Sequence, residues 1–275
     1  MTDKEEKMSS ATKQKGEPKK FVRTPIKGTK YTIMVSSAKG GVGKSTFAVN
    51  LAFALKNLGN KVGILDADIF GPSLPKLIGK NIKPETENGK AIVPVDSHGI
   101  QCMSMGFLVG ETTPMIWRGP MVISAIKTLT EKVLWKDLDY IIVDMPPGTG
   151  DTQLTFAQDI MVDGAIIVST PQDMALLDVK RGIQMFDKTG VKILGLIDNM
   201  SYFRGDDGKD YKIFGESGVE KTAKEFNKEF LGHLPIHQDL RSSADKGDPL
   251  TRSDPHHEVS KLFSNIANKI KLSLS

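Results

Sequence analysis

A glycine turn flanked by lysines is the segment of this chain most suited to chemistry, and it reads Lys-Gly-Gly-Val-Gly-Lys-Ser-Thr over residues 39–46. Closely spaced glycines let the backbone bring its N–H groups against phosphate oxygens, and the N-terminus of a following helix adds to that attraction. Lys44 supplies a positive charge for the β- and γ-phosphates, Ser45 a hydroxyl for Mg²⁺, and Thr46 lies one residue further, toward the α-phosphate. The residues expected to bind the phosphates are Gly40, Gly41, Val42, Gly43, Lys44, Ser45 and Thr46.

Acidic residues come after two apolar runs that both follow this turn in the chain. Asp144 comes directly after Tyr140–Val143, and Asp66 and Asp68 come after Val62–Leu65. Because parallel strands end at one edge of a sheet, these carboxylates are expected beside the phosphate loop, where they can hold Mg²⁺ or position water. The residues expected around Mg²⁺, partly through water, are Ser45, Asp66 and Asp144. Acids that merely end their strands are the alternative for Asp66 and Asp68.

The elements that must position these side chains alternate between short apolar runs and helical periodicity. The runs are continuous rather than alternating with polar residues, which is typical of strands buried on both faces. This alternation predicts an α/β fold, a mostly parallel doubly wound sheet with helices on both faces. A hairpin is expected from Ala91–Pro94 and Ile100–Met103. The expected strands are Tyr31–Ser36, Val62–Leu65, Tyr140–Val143, Ala165–Ser169 and Ile193–Ile197, and the expected helices are Ser45–Leu58, Met121–Val133 and Leu176–Phe186.

Composition restricts the class of protein further. The chain has 275 residues and one cysteine, Cys102, which excludes an intrachain disulfide framework. Residues 1–30 carry nine basic and four acidic groups, against 28 and 29 in the remainder, so the positive charge belongs to the N-terminal segment. We interpret residues 1–29 as a disordered Lys-rich arm, with weak binding to an acidic partner or a membrane surface as the alternative, and residues 30–275 as one domain. A near-neutral body gives no clear sign of nucleic-acid or membrane binding, and we expect a cytoplasmic protein.

The motifs together resemble a known family. The usual phosphate loop has a glycine at the place of Ala38. With Ala38 there and with Lys39, the segment 39–46 resembles the deviant Walker A motif of ParA/MinD-type P-loop ATPases. The strings Asp66–Ser73, Trp117–Pro120, Asp144–Asp151 and Asn199–Ser201 narrow the resemblance to the Mrp/ApbC iron–sulfur cluster carrier ATPases. The resemblance runs from about Tyr31 to the C-terminus.

This resemblance implies roles for individual residues. Lys39 is similar to the lysine that reaches across a homodimer to the partner's phosphates, and Asp68 to the residue that orients the attacking water. Asp66 would be a companion in the Mg²⁺ shell, Asn199 would read adenine, and Pro235 belongs to a loop that packs on the base. The implied protein is a nucleotide-gated homodimer that slowly hydrolyses ATP with Mg²⁺. Its implied partners are iron–sulfur assembly proteins or client apoproteins.

The sequence departs from that family at the cluster ligands. A C-x-x-C pair is expected shortly after Asn199–Ser201, but its places fall on Gly205 and Gly208. Cys102 lies in an apolar run and is interpreted as a buried residue, so no iron–sulfur ligand is assigned and a cluster is implied by resemblance only. The adjacent His256 and His257 are interpreted as a surface pair near a helix start rather than a metal site.

Two other functions remain open. The Lys-rich arm is compatible with a ParA/MinD-like positioning or partitioning switch that binds DNA or a membrane when loaded with nucleotide. A nucleotide-binding module without hydrolysis is the third possibility, which the intact Lys39, Lys44, Asp68 and Asp144 disfavour.

Overall fold

A computed structural model describes residues 21–109 and 119–275 of the chain. Its strands are β1 (Thr29–Ser36), β2 (Val62–Asp66), β3 (Thr86–Glu87), β4 (Ala91–Ile92), β5 (Val95–Ser97), β6 (Ile100–Ser104), β7 (Leu138–Asp144), β8 (Gly164–Ser169), β9 (Ile193–Asp198), β10 (Phe203–Arg204), β11 (Asp210–Tyr211) and β12 (Phe230–His233). Its helices are α1 (Lys44–Asn57), α2 (Leu74–Leu77), α3 (Met105–Leu108), α4 (Gly119–Glu131), α5 (Asp151–Asp159), α6 (Asp173–Thr189), α7 (Gly218–Glu225), α8 (Gln238–Lys246), α9 (Leu250–Ser253) and α10 (Glu258–Leu274).

An eight-stranded sheet at the centre of the fold has the order β12-β9-β8-β1-β7-β2-β6-β5. Neighbouring strands run parallel except β5 and β6. The inner strands are buried along nearly their whole length, as their continuous apolar runs require. The predicted fold class is therefore confirmed, and each predicted strand and helix lies within a few residues of an observed one. The carboxyl ends of β1, β2 and β7 meet at one edge, where Asp66 is paired in register with Asp144.

The predicted hairpin is wrong in one of its strands. Ile100–Ser104 (β6) lies beside β2 in the main sheet, and its antiparallel partner is Val95–Ser97 rather than Ala91–Pro94. Ala91–Ile92 pairs instead with Thr86–Glu87 in a separate two-stranded sheet. The physical reason is Pro94, which has no N–H to donate to a ladder, so the pairing with β6 starts at the next residue.

The body of the protein begins earlier in the chain than the charge pattern predicts. Ile26 is only 1% exposed. Thr24 pairs with the segment after α5, since its N–H donates to Asp159 O at 2.8 Å and its carbonyl accepts from Met161 N at 3.0 Å. The predicted arm is therefore attached to the body through Thr24 and Ile26, while residues 1–20 lie outside the described residues. Among the described residues, no helix is long and apolar enough to cross a membrane.

Helix α1, which starts at Lys44, is attached to the end of the chain. The rings of Phe47 in α1 and Phe263 in α10 have centroids 5.7 Å apart. Asn50 Oδ1 accepts hydrogen bonds from both the N–H and the hydroxyl of Thr251, at 3.0 and 2.8 Å. Asn57 Nδ2 donates to the carbonyl of the same threonine at 2.9 Å. These contacts position the helix whose N-terminus forms part of the candidate site.

Candidate nucleotide-binding site

The glycine turn lies between β1 and α1 and has the backbone conformation that its glycines allow. Gly41 and Gly43 have φ values of +80° and +81°, a region that residues with a Cβ atom rarely adopt. A Cβ atom on Gly43 would lie 2.4 Å from Asn199 Nδ2. That amide donates a hydrogen bond to the Val42 carbonyl at 2.7 Å. Asn199, at the end of β9, is therefore brought against the turn from the other half of the sheet.

A buried ion pair joins the turn to the sheet edge. Lys44 Nζ lies 2.5 Å from Asp144 Oδ1, and the two side chains are 6% and 4% exposed. The same ammonium lies 3.3 Å from the Ser45 hydroxyl. Lys44 is thus desolvated and directed to the edge at which Asp66 and Asp144 end their strands, the place where a phosphate group would meet it.

Asp66 is a second buried carboxylate at this edge. Its oxygens accept hydrogen bonds from the N–H groups of Asp68, Ser73 and Leu74, at 3.0–3.1 Å, and from the hydroxyl of Ser104, at 3.1 Å. Burial and the neighbouring Asp144 nevertheless raise the pKa of Asp66 from 3.8 to about 7, against the lowering effect of these hydrogen bonds and of Lys44. The single ammonium of Lys44 therefore does not fully neutralise the two buried carboxylates, Asp66 and Asp144.

The donors at the edge fit Mg²⁺. Two carboxylates and the Ser45 hydroxyl are hard oxygen ligands, which this cation prefers. Asp66 and Asp144 are adjacent in register and share one ammonium, Lys44, and burial and their mutual repulsion raise the pKa of Asp66. A divalent cation would stabilise both carboxylates in their charged form. Ser45, Asp66 and Asp144 are the residues that would hold it.

Asp68 and the loop after β7 line the same small cavity. The cavity has a volume of about 380 Å³, and its lining includes Asp68, Phe70, Pro146, Pro147 and Gly150. Burial raises the pKa of Asp68, while Lys44 opposes the shift. Its carboxylate accepts one hydrogen bond from Gly71 N at 3.2 Å. This is a half-buried carboxylate that faces a space large enough for water.

The loop after β7 is fixed to the end of β1. Gly148 N donates to the Ser37 carbonyl at 2.8 Å. Gln153 is 1% exposed; it accepts from the Ser36 hydroxyl at 2.7 Å and donates to the Pro146 carbonyl at 2.5 Å. Gln153 is not among the residues predicted from the sequence, because a glutamine in a helix three residues beyond the loop carries no signal that it fixes that loop. A movement of the phosphate loop would therefore act directly on residues 146–153.

A larger cavity opens beside Gly43 and Thr46. Its volume is about 440 Å³, and Asn199 and Pro235 line it, as the resemblance implies for an adenine pocket. One side of the cavity comes from α8, through Leu240 and other residues that the sequence analysis did not single out. Their only signal is the amphipathic pattern of α8, which is shared by most surface helices.

The remaining sequence-predicted residues lie at the rim or outside the description. Lys39 is exposed, as are Gly40 and Gly41, while Val42 is buried. An exposed Lys39 has its ammonium free to approach a second molecule. Trp117 and Arg118 of the Trp-Arg-Gly-Pro string lie outside the described residues.

The segment where the family has its cysteine pair forms an exposed hairpin. Strands β10 and β11 pair antiparallel, and Gly205 N donates to the Lys209 carbonyl at 2.9 Å. Arg204 and Asp210 form a salt bridge across the hairpin at 2.8 Å. Gly205 and Gly208 provide no thiolate here. Cys102 is 0% exposed inside the sheet, and burial raises the pKa of its thiol, so it is not available as a ligand.

Fold and site together define a nucleotide-binding P-loop NTPase with a deviant Walker A turn. The family model described as NUBPL iron-transfer P-loop NTPase matches residues 28–271, and the chain belongs to this family. It is 48% identical over 251 residues to the iron-sulfur cluster carrier protein of Escherichia coli, covering 90% of this chain and 68% of that protein. It is 47% identical to the iron-sulfur cluster transfer protein NUBPL of Mus musculus, covering 90% and 78%.

Two solved structures are similar to this chain. A nucleotide-binding protein from Archaeoglobus fulgidus, solved in complex with ADP, is 36% identical with a TM-score of 0.73, over 85% of this chain and 91% of that one. The cell division ATPase MinD of Pyrococcus furiosus shares the fold, with a TM-score of 0.64 at 22% identity, over 88% and 99% of the two chains.

Proposed function

We propose that this protein is a magnesium-dependent ATPase that works in iron–sulfur cluster assembly or transfer. The observation that carries the proposal is the buried Lys44–Asp144 pair beside Asp66 at the end of the glycine turn. A desolvated ammonium next to two carboxylates serves to bind a triphosphate chelated to a divalent cation. The role in cluster transfer is supported by the relatives named as iron–sulfur carriers.

The chain's own groups divide the work of hydrolysis. Backbone N–H groups of residues 40–45 and the Lys44 ammonium bind the β- and γ-phosphates and stabilise the charge that develops on them. Mg²⁺ held by Ser45, Asp66 and Asp144 would neutralise phosphate charge. Asp68 orients a water molecule from the cavity that it shares with Pro146, Pro147 and Gly150. Adenine would occupy the cavity lined by Asn199 and Pro235.

The role assigned to Lys39 is to contact the nucleotide bound by a second copy of the chain. Its exposure at the rim leaves its side chain free to reach the phosphates of a facing subunit, as an arginine finger does. A nucleotide-gated homodimer follows, in which hydrolysis removes the charge that holds the two faces together. An NTPase of this kind is slow as a monomer.

Lys39→Ala tests this assignment. ATP binding, measured by calorimetry, should be retained, because Lys44 and the glycine turn are unchanged. Phosphate release should fall by roughly 10³-fold, the magnitude of an arginine finger. Lys30→Ala, an exposed lysine at the opposite end of β1, is the matched control and should leave both quantities unchanged. Equal turnover in the wild type and the Lys39 variant would remove the trans-acting lysine from the mechanism.

The cluster is treated as cargo, and the residues at the family's cysteine positions do not fit it. Two glycines in an exposed hairpin replace the thiolates, so no transfer step is assigned to them. We propose that the protein acts on assembly proteins or client apoproteins without carrying the cluster on a C-x-x-C pair. Anaerobic reconstitution with iron and sulfide followed by absorbance spectroscopy tests this: the protein should stay colourless, and stoichiometric iron and acid-labile sulfide would refute it.

A further inference from the structure

Two histidines and two carboxylates from different parts of the chain meet beside the base cavity. His237 and Asp239 lie at the start of α8, and His257 and Glu258 at the start of α10. We call these four residues the histidine–carboxylate cluster. The two imidazole rings meet edge to face, with centroids 4.9 Å apart. His237, Asp239 and His257 each present a ligand atom within 4.8 Å of the other two.

The separations within the cluster are longer than direct hydrogen bonds and close to those between ligands of one metal ion. His257 Nε2 lies 3.4 Å from Asp239 Oδ2, and His237 Nδ1 lies 3.8 Å from the same oxygen. Direct N–H···O hydrogen bonds span about 2.7–3.2 Å. Nitrogen and oxygen ligands at about 2.0–2.2 Å from a tetrahedral ion lie roughly 3.3–3.6 Å from one another. A single ion therefore fits between these groups after small side-chain adjustments.

Burial and charge also suit a cation. The imidazoles are 25% and 18% exposed and are held by their helices, while Asp239 and Glu258 are 59% and 61% exposed. The two imidazoles are thus largely protected from solvent, while the two carboxylates are open to it. Two carboxylates balance the charge of a divalent ion, and the imidazoles favour zinc, cobalt or ferrous iron over the all-oxygen environments of calcium and magnesium.

Both histidines also cap their helices through a ring nitrogen, and this determines what an ion would replace on each ring. His237 Nδ1 accepts from Asp239 N at 3.2 Å, and His257 Nδ1 accepts from Val259 N at 3.1 Å. A neutral ring with an accepting Nδ1 carries its proton on Nε2. On His257, an ion would replace that proton. On His237, an ion at Nδ1 would replace the capping bond, while Nε2, 3.5 Å from Glu258, keeps the proton that a carboxylate partner orients.

From this geometry we propose that the histidine–carboxylate cluster is a binding site for one divalent first-row transition-metal ion. His237, Asp239 and His257 are its ligands, and Glu258 supports His237 from behind. The site is separate from the residues that would hold Mg²⁺. It adjoins the base cavity, because His237 also lines that cavity.

The test uses the full-length protein after treatment with a chelator. Excess Mg²⁺ and ADP are present throughout, so that the phosphate site does not take up the added ion. Titration with Zn²⁺ by calorimetry, and with Co²⁺ by visible absorbance, should show one ion per chain. In the Co²⁺ titration, the intensity expected of a four-coordinate ion should appear. In NMR spectra, Zn²⁺ should shift the ring signals of His237 and His257, which are two of only five histidines.

Two variants and a control make the test specific. His257→Asn removes the imidazole but keeps a side chain that caps helices well, so α10 should remain folded. It should weaken Zn²⁺ binding by at least about ten-fold, since even outer-shell partners of metal ligands contribute that much. Asp239→Asn should do the same. His256→Asn, at the exposed neighbouring position, should bind as the wild type does.

Two results would overturn the proposal. The first is the absence of Zn²⁺ and Co²⁺ binding by the wild type in the presence of Mg²⁺ and ADP. The second is equal affinity in the wild type, His257→Asn and His256→Asn. Because no readout involves ATP turnover or a cluster, failure of this site and failure of the proposed ATPase function are separate outcomes.

Discussion

Replacing Lys44 by methionine tests the electrostatics on which the candidate site depends. Methionine keeps an unbranched apolar stem of similar size, so the change removes the ammonium and leaves little cavity. Asp144, 4% exposed, then loses its salt-bridge partner while Asp66 remains beside it. Removal of one partner of a buried ion pair lowers the free energy of unfolding by about 3–5 kcal/mol. For a chain of 275 residues, at about 2–4 °C per kcal/mol, the melting temperature should fall by about 6–20 °C.

The double variant Lys44→Met/Asp144→Asn separates the charge effect from damage to packing. It removes both charges of the pair and should recover most of the lost stability, because residue 144 no longer carries an unpaired charge beside Asp66. Thermal unfolding is measured without nucleotide or Mg²⁺. Calorimetry should show that neither variant binds ATP·Mg²⁺, because both lack the ammonium that meets the phosphates. A double variant as unstable as the single one, or a single variant as stable as the wild type, would refute the reasoning.

Three further predictions follow from the same geometry. Gly43→Ala should abolish nucleotide binding in calorimetry, since its Cβ would lie 2.4 Å from Asn199 Nδ2, whereas Gly59→Ala has the same strained φ of about +84° with open space and should bind normally. Asn199→Ala should reduce the preference for ATP over GTP in competition binding, and an unchanged preference would exclude it as an adenine reader. The pKa of Asp66 is raised from 3.8 to about 7 in the folded protein, so its charged form destabilises the fold. This loss of stability is complete above about pH 7 and becomes smaller as the pH falls toward 3.8. Without Mg²⁺ and nucleotide, the wild type should therefore gain about 1 kcal/mol between about pH 8 and about pH 6 relative to Asp66→Asn, and a flat difference would contradict the assignment.

The sequence could predict the sheet edge because its signals are local. The glycine turn, the run before Asp144 and the run before Asp66 each encode one strand end, and parallel pairing then brings the three ends together. In the glycine turn and the acidic residues, the residue type alone indicates the chemistry, which is binding of phosphate or of Mg²⁺. The fold class followed from the same continuous apolar runs.

Other features depend on contacts that are distant in sequence. Ile26 is surrounded by a Lys-rich segment, so nothing local indicates that it is buried against the body. The pairing of β5 with β6 was decided by Pro94 and by the place of β6 beside β2, which only the tertiary arrangement shows. His237 and His257 are twenty positions apart and meet because α8 and α10 begin at the same place.

The attachment of α1 to Thr251 bears on how the protein is made. The side-chain oxygen of Asn50 accepts hydrogen bonds from Thr251, which lies 201 positions later in the chain. Asn57, two turns further along the same helix, donates to the carbonyl of that threonine. During synthesis, the helix that begins at Lys44 therefore lacks these partners until the segment around Thr251 has left the ribosome. A nascent chain that stops short of this threonine is expected to present its glycine turn on a poorly anchored support, and ATP capture becomes a property of the finished molecule.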